Sequence, residues 1–134
     1  MEEHTMKPEI ARLWAEALES GEYKQGRTLL HNAKTNEYCC LGVLCELAIQ
    51  AGVPVVKAPA NGNRTAYSGI MSYDGRSGYL PESVSDWAGL PTEVGDPQLG
   101  LTRSELATSL NDTYRRTFKE IAAAIRRTFL GEVC

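Results

Sequence analysis

Tyr38-Cys39-Cys40-Leu41-Gly42-Val43-Leu44-Cys45-Glu46-Leu47-Ala48 places three of the chain's four cysteines within seven positions of otherwise mostly aliphatic sequence. A run of that composition is either a buried core element or a thiol site. Free cysteine behaves as a small hydrophobe and is among the most often buried residues, so the aliphatic surroundings favour the core. Cys40, Leu41, Leu44, Cys45, Leu47 and Ala48 recur at helical spacing until Gly52-Val53-Pro54 ends the pattern. The spacing predicts a buried helix over about 39–50, with Gly42 permitting close approach by another element.

Amphipathic helices surround this central one. Pro8 suits a first helical turn, and Ile10, Leu13, Trp14, Ala17 and Leu18 form an apolar stripe opposite Glu9, Arg12, Glu16 and Glu19, ended by Ser20-Gly21. Trp14 reads as a core anchor whose indole N–H is available for a partner. Further on, Leu80 to Pro91 predicts a brief helix with Val84 and Trp87 inward. Thr102-Arg103-Ser104-Glu105 and Thr117-Phe118-Lys119-Glu120 both have capping-box spacing. Leu106, Ala107 and Leu110 follow the first box; Phe118, Ile121, Ala122, Ile125 and Phe129 follow the second. Asn111-Asp112 marks the break between them.

The connections are polar. Arg27 to His31 reads as a short strand or a helical turn, and Ala33 to Glu37 as a turn. Residues 53–79 form a loop-rich insertion with strong turn chemistry at Asn61-Gly62-Asn63 and Tyr73-Asp74-Gly75, and Thr65 to Tyr73 suits one or two short strands. The expectation is a mainly α fold with a small β hairpin or β patch (α+β), a single compact domain of about five helices over 1–134, with residues 1–6 flexible.

Composition narrows the partners. The 134 residues are enough to bury one core without a metal or disulfide. A net charge of −3 argues against a nucleic-acid polymer, whose binding is driven by lysine and arginine. No apolar run approaches a membrane span, and Met1 to Met6 is acidic and polar where a signal peptide needs a basic start, so residence in the cytoplasm and free thiols are expected. Self-association is compatible with this composition.

No enzymatic motif stands out. Cys39, Cys40, Cys45 and His31 lack the spaced pairs of a zinc site, so no metal and no cofactor is expected. A nucleophilic cysteine needs a lowered thiol pKa and a nearby base, for which His31 is the one candidate beside the terminal His4. The arginines at 115, 116, 126 and 127, with Lys119, form a cationic run in an acidic chain. Such a run is ordinarily a solvated face; its sharper reading is anion recognition by forked guanidinium donors, with Arg64 adding from the middle loop.

Several blocks together resemble a family of small accessory proteins encoded in tailed-phage genomes: Trp14 to Leu18, Ser20 to Gly26, Tyr38 to Glu46, Leu80-Pro81 with Trp87 to Leu90, and Leu106 to Asp112 followed by Phe118, Ile121-Ala122 and Ile125. The Tyr38–Cys45 block and Leu110-Asn111-Asp112 are its distinctive parts; the middle insertion and the end after Phe129 lie outside it. The resemblance implies an accessory protein acting in the host bacterial cytoplasm and carries no catalytic residue. Phage accessory proteins of this size commonly act by binding. The leading expectation is therefore a non-enzymatic sponge for a small nucleotide-like immune signal, with Tyr23, Lys24, Arg64, Tyr67, Tyr73, Asn111, Asp112 and Arg115 as its ligand-binding residues. The alternatives are a protein-binding inhibitor of a host factor and a thiol-dependent enzyme.

Overall fold

The computed structural model describes residues 6–60, 69–90, 95–99 and 106–132. Helix α1, Pro8–Glu19, starts on a proline whose missing N–H would have had no helical acceptor. Ala11, Trp14, Ala15 and Leu18 turn inward from it at spacings of three and four. Helix α2, Cys40–Gln50, is different: Cys40 through Cys45 are buried without interruption, as are Leu47 and Ala48. A helix apolar on all sides belongs at the centre of a fold. Cys39 precedes it in extended conformation as the N-cap.

Two contacts fix what surrounds α2. The Trp14 indole N–H donates to the Cys40 carbonyl over 2.9 Å in the buried interior. On another side the Leu30 backbone lies so close to Gly42 that a Cβ there would sit 1.7 Å from the Leu30 carbonyl oxygen. Only glycine lets the two backbones meet.

Helix α3, Glu82–Ala88, ends at Gly89 in the left-handed conformation (φ 88°), and Lys7 N–H bonds to the Ala88 carbonyl at 2.8 Å. Helix α4, Phe118–Leu130, opens on the expected capping box, Thr117 accepting from the Glu120 N–H and Glu120 from the Thr117 N–H. It lies along α1, burying Phe118, Ile121, Ala122, Ala124 and Ile125, and the Arg126 guanidinium forks onto Glu19 at 2.8 and 3.0 Å.

The strands are short. β1 (Lys24–Gln25), β3 (Glu37–Tyr38) and β2 (His31–Asn32) form a sheet in that order, β1 parallel to β3 and β2 antiparallel to it, with His31 opposite Tyr38. β4 (Lys57–Pro59) pairs antiparallel with β5 (Met71–Tyr73), Lys57 opposite Tyr73. A bridge between Asn32 and Ile70 links the two sheets. The α+β expectation is met: the described residues form five helical elements and two small sheets.

Local differences have physical causes. The strand expected within 65–73 is formed by Met71–Tyr73, but its partner is Lys57–Pro59; residues 61–68 lie outside the described residues. Arg27 to Leu30 is neither strand nor helical turn, because Thr28 adopts a left-handed backbone (φ 77°) and pairing begins only at His31. The capping box at Thr102 lies outside the described residues. Beyond it the helix widens into a π turn, Ser109–Thr113. Of the segment 1–6 expected to be flexible, Met6 is described, and it is buried in the core.

Candidate functional site

Asn111 lies in the π turn with none of its surface exposed, and every polar atom of its side chain is matched. Its Oδ1 accepts from Gln25 Nε2 at 2.9 Å; its Nδ2 donates to the Gly26 carbonyl at 2.9 Å and to Asp112 Oδ1 at 2.7 Å. The same Asp112 oxygen accepts the Thr28 N–H at 2.9 Å, and Gln25 Nε2 also reaches the Arg116 carbonyl at 2.9 Å. Burying an amide is tolerated when its donors and acceptor all find partners. Here the partners belong to two remote segments, so the amide locks residues 25–28 onto residues 111–116.

Backbone strain sits on both sides of this lock. Thr28 has φ 77° and Arg115 φ 55°, a left-handed region that non-glycine residues occupy only when their surroundings hold them there. The π turn adds a third distortion of a kind frequent at functional positions. Lys24, Arg27, Arg115 and Arg116 are all exposed on the two joined segments. Lys24 approaches Glu37 at 3.7 Å while its side chain stays 69% exposed. Arg27, Arg115 and Arg116 enter no ion pair among the described residues. The two joined segments thus carry four exposed cationic side chains, with Asp112 in the junction and Glu37 beside Lys24.

Next to β1 lies an aromatic cluster. The Tyr38 ring stacks on His31 (centroids 4.1 Å apart, planes 1° apart), and Tyr23 meets Tyr38 edge-on at 5.3 Å. Gln50 Nε2 donates to the Tyr23 hydroxyl over 3.2 Å. Lys57 Nζ lies 5.7 Å from the Tyr38 centroid and 5.1 Å from that of Tyr73, and pairs with Glu46 Oε2 at 2.5 Å. The Tyr73 hydroxyl donates to that same oxygen at 2.5 Å. Burial, then the bond to Glu46, holds the Tyr73 phenol well above its ordinary range; burial also raises Tyr38.

His31 is the polar exception in this cluster. Its Nε2 lies 3.1 Å from Asn36 Oδ1, an acceptor, so Nε2 carries the proton and Nδ1 keeps its lone pair. That buried Nδ1 has no hydrogen-bond partner among the described residues. Burial lowers the His31 pKa most, the Asn36 bond opposes it, and the Lys57 charge lowers it further.

The thiols show the opposite of activation. Burial pushes Cys39 up to about 12 and Cys40 and Cys45 well above the usual thiol range, whereas nucleophilic cysteines need a depressed value. Cys40 Sγ points at the Ala107 carbonyl, 3.6 Å away. Among the described residues no three histidine, cysteine or acidic side chains are grouped to hold a metal ion.

The family described as a domain of unknown function, DUF8296, matches residues 6–129, which include the lock, the aromatic cluster and the cysteine helix. The chain belongs to this family. Neither a curated protein nor a solved structure matches it.

Within this DUF8296 chain the sequence-derived candidates divide into three groups. Asn111 and Asp112 form the lock, Lys24 and Arg115 are chain neighbours of its residues Gln25 and Arg116, and Tyr23 stands one residue before Lys24, half-buried against Tyr38. Tyr73 is fully buried, its hydroxyl on Glu46, and acts as a core residue beneath Lys57. Arg64 and Tyr67 lie outside the described residues. Gln25, Thr28 and the Arg116 carbonyl complete the lock; Gln25 and Thr28 had not been singled out, and Arg116 had been read only as part of the cationic run. No local pattern marks Gln25 or Thr28, because their roles depend on a partner more than 80 positions away.

Proposed function

We propose that this DUF8296 chain is a non-enzymatic binding protein that sequesters a small nucleotide-like anion where residues 24–28 meet residues 111–116. The carrying observation is the Asn111 lock, which joins two strained segments on which Lys24, Arg27, Arg115 and Arg116 are exposed. Arginine forks match phosphate oxygens in pairs, and lysine adds a point charge. Tyr23, adjacent to Lys24, offers aromatic surface to a base. Four exposed cations on a chain of net charge −3 suit a compact anion better than a long phosphate backbone, which would also meet the acidic remainder.

The resemblance to small tailed-phage accessory proteins supports the host bacterial cytoplasm as the place of action and a host immune signal as the ligand. The raised thiols speak against a thiol-dependent enzyme. Titration calorimetry of the folded protein against cyclic mono- and dinucleotides and cyclic ADP-ribose isomers tests the reading. The expected result is binding that weakens with added salt and drops at least about tenfold in an Arg115→Glu, Arg116→Glu variant of unchanged melting temperature. A folded protein that binds none of the panel and retains a stoichiometric host protein from infected cells would instead establish the protein-binding inhibitor.

A further inference from the structure

We propose that His31 is a proton-operated release for the Tyr38–Tyr23 aromatic pair, holding it while the imidazole is neutral and freeing it when Nδ1 takes up a proton. This goes beyond the ligand-binding reading and needs no ligand. Three geometric facts support it. The His31 ring lies flat against Tyr38 at 4.1 Å, so any displacement of the imidazole removes the surface on which Tyr38 rests. Tyr23 is held edge-on by Tyr38, which carries the effect to the residue beside Lys24. Nδ1 is buried and unpartnered among the described residues, with Nε2 already committed to Asn36.

A proton on Nδ1 makes a buried cationic N–H with no acceptor, a state that costs far more than an unused lone pair. The charged groups around it do not offset that cost. From β4, Lys57 presents a second positive charge; from α2, Glu46 attracts, but its Oε2 is already shared by Lys57 Nζ and the Tyr73 hydroxyl of β5. From β3, Tyr38 offers its π face, which favours a cation yet accepts nothing in the plane of the imidazole N–H. The imidazolium is therefore better accommodated in water than in its native position.

The pH dependence has a definite sign. The folded state holds the His31 proton less tightly than the unfolded chain does. Stability from the neutral ring is complete above the ordinary histidine range and drains away as pH falls through that range toward the lower folded-state value.

Two measurements on the whole chain test the release. In a proton NMR titration from pH 8 to pH 5, the urea-unfolded chain serves as the reference for an ordinary imidazole. His31 is expected to protonate below it, with the Tyr38 and Tyr23 ring resonances shifting over the same interval. Thermal melts across that range are expected to fall more steeply for the wild type than for His31→Phe, which keeps a flat ring against Tyr38 and cannot protonate. Titration of His31 at the same pH as in the urea-unfolded chain while both tyrosine resonances stay fixed would overturn the proposal, as would equal slopes in the two melting series. Should His31→Phe fail to fold, the wild-type titration decides alone.

Discussion

Replacing Gly42 with alanine sets two principles against each other. An alanine in a helix interior is favoured over glycine by about 1 kcal/mol, so α2 taken alone would be strengthened. The added Cβ would lie 1.7 Å from the Leu30 oxygen, 2.6 Å from its carbonyl carbon and 3.1 Å from its Cα. All three obstacles are backbone, so no rotamer change relieves them. An ordinary contact needs the segment to retreat by roughly 1.5 Å in a close-packed interior. That segment is pinned by Leu30 N–H to Ser77 O at 2.8 Å and by Cys39 N–H to Leu29 O at 3.2 Å. Overpacking costs about 1–3 kcal/mol where side chains absorb it, and weakening two hydrogen bonds adds about 1 kcal/mol each. Less the propensity gain, Gly42→Ala is expected to lose about 2–4 kcal/mol. For a domain of this size the melting temperature should fall by about 6–16 °C. Calorimetric or circular-dichroism melts measure it, with Gly78→Ala as the control, since a Cβ there meets nothing nearer than 3.9 Å. A Gly42→Ala protein that melts at or above the wild type would refute the packing of Leu30 against α2.

Asn111→Asp removes two donors and sets a carboxylate against Asp112 and the Gly26 carbonyl, so urea unfolding at pH 7 should show a loss of about 3–5 kcal/mol. That loss should shrink as pH falls and the new carboxyl takes up its proton; a penalty independent of pH would contradict the lock. Trp14→Phe deletes the indole donor to the Cys40 carbonyl and part of a buried ring, with an expected cost of about 2–3 kcal/mol by denaturant titration. In native buffer at pH 8, iodoacetamide should modify Cys39, Cys40 and Cys45 together, at least about a hundredfold more slowly than in denaturant, as read by peptide mass mapping. Rapid labelling of Cys39 alone would restore the thiol-enzyme reading.

How legible these features were depended on how far their causes lay along the chain. α1 and α4 followed from stripes spaced three and four, and Thr117 with Glu120 announced the start of α4, because both signals are complete within one helix. The cysteine run pointed to the core for the same reason, and Gly42 marked a close approach without naming Leu30. The β1–β3 pairing could not be read, since two-residue strands carry no alternation and their register comes from tertiary contacts. The π turn was hidden too: Leu106 and Leu110 have ordinary helical spacing, and the widening places Asn111 where Gln25 and Gly26 can use it. Tyr73 looked like a loop tyrosine because turn residues follow it, yet pairing with Lys57 carries its ring inward to Glu46. His31 was considered only as a zinc ligand or as a base for a thiol; its stacking on Tyr38 appears once β2 and β3 are in register.

The Asn111 lock also bears on the order in which the chain assembles. Its cross-segment bonds span 84 to 91 residues of sequence, whereas α1 and α2 each form from local contacts. Closing so long a loop is entropically slow and is rewarded only when both ends are already in place. On a ribosome, residues 24–28 must wait while more than 80 further residues are made before Asn111 can reach them. The junction is thus a late product of folding: a partly synthesised chain can hold α1 and α2 and still lack the surface proposed to bind an anion.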